Sequence, residues 1–167
     1  CLHPEEGYPA DNDNAYSLCL YVELEAFSLL LTGDVEGVGE NALTEALRRY
    51  GIREVTVLKT AHHGSASSTG AELLNRISPR LAVISCGKNN RYGHPHREVL
   101  DRLEAAECAV VQTAGQGAVI LRGTGSGIRV RRRCRAGLFC PAAGEQWGQC
   151  AKEKSEKERS EKEKGKV

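Results

Sequence analysis

Short apolar runs alternate with amphipathic stretches along most of the 167-residue chain. Alternating or continuous apolar patterns predict strands over residues 17–24, 26–31, 54–59, 81–86, 108–113, 118–122 and 128–131. Apolar positions at helical spacing predict helices over residues 41–50, 70–77 and 96–106. The first two strands are nearly contiguous and predict a hairpin. Strands that alternate with helices in this way predict a layered α/β domain.

Changes of composition divide the chain into three parts. Residues 1–16 are rich in Pro, Gly, Asp and Asn and predict an irregular loop. Residues 1–130 predict a single domain, whereas residues 131–167 lose any steady period and end in a Lys/Glu-rich run. We expect that charged, low-complexity tail to be disordered rather than a binding arm. The chain begins at Cys1 and contains no methionine, so we expect a processed, truncated or excised piece.

Positive and negative charges are nearly balanced in the body of the chain. The whole sequence has 23 Lys and Arg against 22 Asp and Glu, and residues 151–167 hold 7 and 5 of them, which leaves 16 and 17. This balance argues against a large nucleic-acid-binding surface but leaves room for an enzyme with a small phosphate-binding cleft. No apolar run approaches the about 18 residues of a membrane helix, so we expect none in this chain.

Three predicted loops follow apolar strands and carry polar side chains. They are residues 32–34 (TGD), 61–65 (AHHGS) and 93–96 (GHPH). In layered α/β proteins, ligands gather where loops leave the carboxyl ends of strands. Imidazole and carboxylate are the groups that bind zinc or manganese in hydrolytic centres. Taken together, the three loops predict a metal site.

Each loop also has an ordinary structural interpretation. Asp34 after Thr-Gly is typical of a turn, and the sequence His94-Pro95-His96 is typical of a helix start. The His62-His63 pair is less easily explained, because the small residues that follow it let the backbone approach a ligand closely. In an extended segment the two rings point to opposite sides, so only one of them would face a given ion.

Several ordered motifs resemble a known family. LLTGDVE, VLKTAHHGSASS and AVISCGKNNRYGHPHREVLDRL occur in this order after a lead-in of LHP…DNDNAYSLCLYVEL. Together they resemble the second half of a metallo-β-lactamase-fold hydrolase, of the ComEC-type branch found in DNA-uptake competence proteins. The resemblance covers residues 1–130 and implies the C-terminal half of a four-layer αββα sandwich.

The resemblance also implies roles for particular residues in a centre of one or two zinc or manganese ions. Asp34 would bridge the ions, and His62 would be the later histidine ligand, with His63 as the alternate or as a group behind the ligand. His94 would contact the scissile phosphate or protonate the leaving group. Ser65, Asn90 and Tyr92 are the candidates for hydrogen bonds to phosphate or to the ligands.

One motif of that family is absent from this chain. The main ligand cluster, His-x-His-x-Asp-His, would precede Asp34, where only His3 stands as a weak candidate. Because a hydrolytic zinc site needs three protein ligands and a water, we expect this chain alone to be inactive. The missing N-terminal half of the domain is therefore an expected partner.

Three functions are compatible with these observations. The first is metal-assisted hydrolysis of a phosphodiester, with single-stranded DNA as the substrate, in DNA uptake. The second is a catalytically incomplete fragment of such a domain. The third is a nucleic-acid-binding module that uses the basic run RVRRRCR and the tail. The resemblance further implies a membrane-embedded channel domain in the full-length protein, with this domain as an extracytoplasmic part of a bacterial membrane protein.

Overall fold

A computed structural model describes residues 1–9, 12–25, 27–124, 127–133 and 139–140. The described strands are β1 (Leu20–Leu24), β2 (Phe27–Leu31), β3 (Val57–Lys59), β4 (Leu81–Ile84), β5 (Ala109–Gln112), β6 (Val119–Thr124), β7 (Gly127–Arg133) and β8 (Phe139–Cys140). The described helices are α1 (Val38–Arg49), α2 (Ala71–Ile77), α3 (Arg97–Ala105) and α4 (Thr113–Gln116). Two 3₁₀ turns, Asn14–Tyr16 and Ala61–Gly64, complete the set.

Strands β1 to β5 form one sheet in chain order. The β1–β2 hairpin is antiparallel, and β2, β3, β4 and β5 run parallel to one another. The parallel strands are joined through helices, which is the usual way to connect them. The prediction of an α/β domain is thus confirmed, and the loops that follow β2, β3 and β4 all leave the same edge of the sheet.

The two faces of the sheet are covered differently. On one face, Leu30, Leu58 and Ala82 are fully buried and lie in register across β2, β3 and β4. They belong to the same apolar cluster as side chains from α1, α2 and α3. On the other face, Val57 and Leu81 are also buried but lie outside that cluster. A four-layer αββα arrangement stays a prediction.

Helix α1 begins three residues earlier than the helical spacing predicts. Its first turn contains Gly39, where a Cβ would lie 2.5 Å from the carbonyl oxygen of Ala15. The glycine therefore lets the first turn of α1 pack directly on the Asn14–Tyr16 turn. That packing is invisible in a pattern of apolar positions. At the other end, Gly51 adopts a φ of +70° just past the helix, as predicted for its C-terminus.

A second, smaller sheet has the order β6-β7-β8. Strand β7 continues to Arg133, and the two residues of β8 pair with it inside the segment expected to be a tail. The rest of that tail, residues 134–138 and 141–167, lies outside the described residues, and the prediction that the tail is disordered is therefore untested. Residues 113–116, at the end of the fifth predicted strand, form the one-turn helix α4. None of the described helices is long and apolar enough to cross a membrane.

Candidate functional site

The three polar loops meet at the carboxyl edge of the parallel strands. The backbone N–H of His62 donates to the carbonyl of Gly33 over 3.1 Å, which joins the loop after β3 to the loop after β2. The N–H of His96 donates to the carbonyl of Gly64 over 2.9 Å, which joins the loop after β4. Backbone hydrogen bonds therefore fix the relative positions of the side chains that these loops carry.

The His62-His63 pair has an unusual backbone. Both residues adopt left-handed conformations, with φ of +43° and +55°, inside the Ala61–Gly64 turn. Residues with side chains rarely occupy this region, and such conformations cluster at functional sites. Because the segment is a turn and not extended, the expectation that the rings point to opposite sides is wrong. The two ring centroids lie 6.4 Å apart, and both rings lie next to His94.

Asp34 and His63 form one pair across the site. The Nε2 atom of His63 lies 3.7 Å from Oδ1 of Asp34. The other ring nitrogen, Nδ1, donates to the carbonyl oxygen of Ser85 over 2.7 Å. In the neutral ring the lone pair is then on Nε2, the nitrogen that lies near the carboxylate. A histidine held by a backbone carbonyl through one nitrogen is typical of a metal ligand.

Glu36 and His62 form a second pair, and no motif in the sequence predicts this role for the glutamate. Its Oε2 atom accepts a hydrogen bond from Nδ1 of His62 over 3.1 Å. Asn14 and Ser67 donate to the same carboxylate. Burial raises the pKa of Glu36, but these hydrogen bonds outweigh it and hold the pKa below its ordinary value. The carboxylate fixes the proton of His62 on Nδ1 and leaves Nε2 as the acceptor.

Ser65 belongs to this hydrogen-bond network but contacts Glu36 only through Ser67. Its side chain is buried, and its Oγ lies 2.9 Å from the Oγ of Ser67. Because the hydroxyl of Ser67 donates to Glu36, Ser65 is the donor to Ser67. A chain of hydrogen bonds thus runs from Ser65 through Ser67 and Glu36 to His62. In this arrangement Ser65 supports the histidine instead of facing the open site.

Asn90 holds His94 in place. Its side-chain oxygen accepts from the N–H of His94 over 2.9 Å, and its amide nitrogen donates to the carbonyls of His94 and Gly87. The imidazole of His94 lies with its centroid 5.6 Å from that of His62. Burial lowers the pKa of His94, and the neighbouring imidazoles lower it further. The side chain of Asn90 is therefore used in hydrogen bonds within the loop, and the imidazole of His94 is the group that the loop makes available to a ligand.

Tyr92 and His96 flank His94 on either side. The ring of Tyr92 is exposed and stacks 5.7 Å from that of His94. The Nδ1 atom of His96 accepts from the N–H of Ala66, so Nε2 carries the proton and donates to the carbonyl of Tyr92. His96 is also the N-cap residue of α3. Tyr92 is exposed, and the guanidinium of Arg91 lies over its ring, 4.6 Å from the centroid.

Two charged side chains, missed by the sequence analysis, hold the loop of residues 65–70 between α1 and α3. Glu40 accepts from the N–H groups of Thr69 and Gly70. Arg102 donates to three carbonyls of the loop, those of Ala66, Ser68 and Thr69. Burial raises the pKa of Glu40, and these backbone hydrogen bonds only partly offset it. Their helical positions give no hint of this role, because it depends on how the helices pack.

A positive charge also lies near Asp34. The ammonium of Lys59, at the end of β3, donates to the carbonyl of Thr60 over 2.6 Å. Burial lowers the pKa of Lys59, and the charge of Asp34 partly offsets this. The aspartate therefore has a histidine on one side and a partly desolvated lysine in its electrostatic surroundings.

Within the part of the chain that the structure describes, Asp34 and the site histidines fall short of a full set of metal ligands. Among the described residues, no group of three or more His, Cys, Asp or Glu side chains is arranged to hold a metal ion. His3, the weak candidate for a further ligand, is buried and bonds through Nε2 to the carbonyl of Ala15 over 2.6 Å. Since a hydrolytic zinc needs three protein ligands, Asp34 together with one histidine of the pair does not complete such a centre.

Comparison with known proteins reveals clear relatives. The chain is 41% identical over 121 residues to ComE operon protein 3 of Bacillus subtilis, a match that spans 72% of this chain and 15% of the relative. It is 37% identical over 107 residues to Recombination protein 2 of Haemophilus influenzae, spanning 64% of this chain and 13% of the relative. It is 35% identical over 132 residues to Competence protein ComA of Neisseria gonorrhoeae, spanning 78% and 18%.

These relatives are much longer than the segment they share with this chain. The chain spans less than a fifth of the length of each of the three. No family model matches the sequence. The shared segment nevertheless includes most of this chain in all three matches. The names of these homologues indicate that the chain is related to the ComEC-type family of competence proteins.

Proposed function

We propose that this chain is part of a DNA-uptake protein and that its three-loop site binds a phosphodiester of the DNA. Competence, the property for which one relative is named, is the uptake of DNA. The observation that carries the proposal is the convergence of Asp34, His62, His63 and His94 at one edge of the sheet. An imidazole N–H such as that of His94 is a suitable donor to a phosphate oxygen, and a carboxylate beside it is suited to a metal ion.

The proposed activity is metal-dependent hydrolysis, with zinc or manganese as the ion. Asp34 and His63 are the proposed ligands from this chain. The 3.7 Å between Oδ1 and Nε2 supports His63, the alternate of the sequence analysis, over His62 as the partner of Asp34. The other ligands must come from outside the described residues, in an N-terminal half that completes the metallo-β-lactamase-like αββα domain. The chain alone is then catalytically incomplete.

The remaining residues of the site have roles that do not depend on the ion. His94, held by Asn90, donates a hydrogen bond to a phosphate oxygen of the substrate. His62, fixed by Glu36 with its Nε2 unprotonated, orients a donor group of the substrate or serves as a further ligand. Tyr92 offers an exposed aromatic ring next to His94, on which a base of single-stranded DNA can stack.

The test is the substitution Asp34→Asn in the full-length protein. Hydrolysis of single-stranded DNA and of a model phosphodiester is measured with added manganese or zinc. We expect Asp34→Asn to lower the metal-dependent rate by about 100-fold or more. Asp101→Asn is the control, because Asp101 is an exposed helix residue paired with Arg97. Unchanged hydrolysis in Asp34→Asn would overturn the proposal.

A second measurement uses the chain by itself. Because two ligands hold a zinc or manganese ion only weakly, we expect substoichiometric metal after dialysis. Metal content by mass spectrometry of the purified chain decides this. Tight, stoichiometric binding would contradict the incomplete ligand set.

A further inference from the structure

The β6–β7 hairpin carries arginines on one of its faces. The two strands are antiparallel, with Arg122 directly opposite Arg129 and Ile120 directly opposite Arg131. Residues opposite each other, and residues two apart on one strand, share a face of a sheet. The register therefore places Arg122, Arg129 and Arg131 on the same side, which we call the arginine face.

The other side of the hairpin is mostly apolar, although it also carries Arg132 opposite Val119. It carries Leu121 opposite Val130 and Gly123 opposite Ile128. A Cβ at Gly123 would lie 2.4 Å from the ring of Phe27, so this side of β6 contacts the main sheet. With the apolar side turned to the sheet, the arginine face points outward. Arg122 and Arg129 are exposed accordingly.

The segment that carries the arginine face is rich in positive charge. The sequence from 119 to 133 contains five arginines and no aspartate or glutamate. Within the part of the chain that the structure describes, neither Arg122 nor Arg129 belongs to a salt bridge. Like charges directly opposite each other destabilise a strand pair. An anion bound between them would reverse the sign of that interaction.

We propose that the arginine face binds the phosphate backbone of DNA. Guanidinium groups are always charged and match phosphate oxygens with two parallel donors. Arg129 and Arg131 stand about 7 Å apart along the strand, so the face suits a polymer with repeated phosphates better than one isolated phosphate. No aromatic residue lies in residues 119–133, so the contact is with the backbone and independent of base sequence.

The choice of DNA among polyanions rests on the proposed function, whereas the affinity for phosphate rests on the hairpin alone. A membrane surface rich in anionic lipids is the other polyanion to consider. Binding to such a surface uses apolar anchors beside the basic residues. On the arginine face, the described apolar side chain is Ile120, flanked by Arg122 and facing Arg131. This composition favours DNA.

The experiment compares two variants of the whole chain. The first is the double variant Arg122→Gln/Arg129→Gln. The control is Arg49→Gln, an exposed arginine on α1, on the helix-covered side of the sheet. Binding of a fluorescein-labelled oligodeoxythymidine is followed by anisotropy at several salt concentrations. We expect the double variant to bind on the order of tenfold more weakly and its log–log salt slope to be smaller by about 1.4, as for two lost phosphate contacts.

If the double variant does not fold, DNA binding is measured on the single variant Arg122→Gln instead. Because it removes one of two opposed charges, its melting temperature should equal or exceed that of the wild type. Equal DNA affinity in the double variant and in Arg49→Gln would overturn the inference. Arginine-dependent binding to phosphatidylserine vesicles without any DNA binding would also overturn it. The proposed function fails through a different result, hydrolysis that survives Asp34→Asn, so the two failures are distinguishable.

Discussion

The Nδ1 atom of His62 lies 3.1 Å from Oε2 of Glu36, and this carboxylate fixes the proton of the imidazole. We therefore expect the neutral His62 ring to carry its proton on Nδ1, as seen by long-range ¹H–¹⁵N correlation spectra. Replacing Glu36 with Gln removes the charged acceptor and should shift population towards the Nε2-protonated ring. The free energy of unfolding should fall by about 2 kcal/mol, as for the loss of hydrogen bonds to a charged group.

Glu5→Gln serves as the control for this prediction. Glu5 is an exposed carboxylate that pairs with Arg49. Its substitution should leave the His62 spectrum unchanged and should change the free energy of unfolding by no more than about 0.5 kcal/mol. A wild-type spectrum in which His62 is protonated on Nε2 would contradict the assigned network.

Glu36 and Glu40 should contribute to the pH dependence of stability with opposite signs. The folded state lowers the pKa of Glu36 below its ordinary 4.5, so its stabilisation is present above that pH and is lost as pH falls through the lowered pKa. The folded state raises the pKa of Glu40 above 4.5, so its contribution is complete below that pH and is lost as pH rises through the raised pKa.

Urea unfolding at a series of pH values checks both signs. In Glu36→Gln, the free energy of unfolding should decrease less steeply as the pH falls below 4.5. In Glu40→Gln, it should decrease less steeply as the pH rises above 4.5. Two variants that change the pH dependence in the same direction would show that one of the two carboxylates has a different environment in solution.

Gly64 should not tolerate a side chain. It has a φ of +85°, and a Cβ would lie 2.8 Å from Cβ of Pro95 and 3.2 Å from Cγ2 of Ile84. Gly64→Ala should therefore combine backbone strain with a clash between the two histidine loops. We expect a loss of about 3 kcal/mol in the free energy of unfolding, together with changed ¹⁵N shifts of His62 and His94.

Gly51→Ala separates the two effects. Gly51 has a similar φ of +70° but no neighbour within 4 Å of an added Cβ. Its substitution should cost about 1 kcal/mol, the backbone term alone. Equal losses for the two variants would mean that the contact between Gly64 and Pro95 is not close in solution.

Arg102 should hold the loop of residues 65–70 through the N–H groups of its guanidinium. Arg102→Met removes three hydrogen bonds to backbone carbonyls, so the amides of Ser65 and Ser68 should exchange faster with deuterium. We expect a stability loss of about 2 kcal/mol. Arg102→Lys should recover little of it, because an ammonium does not span three carbonyls as the planar guanidinium does.

Arg97→Met is the matched control for that experiment. Arg97 lies on the same helix, α3, but its guanidinium is exposed and pairs only with Asp101 among the described residues. Hydrogen exchange in the loop should be unchanged in this variant. Faster exchange in Arg97→Met than in Arg102→Met would contradict the role assigned to Arg102.

The local pattern of the sequence was sufficient for most elements. The β1–β2 hairpin, α2, α3 and the strands of the parallel sheet lie within the predicted ranges, because apolar periodicity reports directly which side chains face a core. The start of α1 was missed because it depends on the contact between Gly39 and Ala15. The histidine pair was expected in a loop, but its left-handed turn was not predicted, because it is accompanied by a hydrogen bond from His62 to Gly33 in the loop after β2.

The α/β class and the kinds of side chain at the edge of the sheet could be predicted without a structure, since both follow from short-range pattern and residue chemistry. Which of these side chains meet is set by tertiary packing. Glu36 reaches His62 across 26 positions, and Arg102 reaches Ala66 across 36. The register that puts Arg122 opposite Arg129 is likewise set by strand pairing. Contacts of this kind depend on how whole elements pack, and no local pattern encodes them.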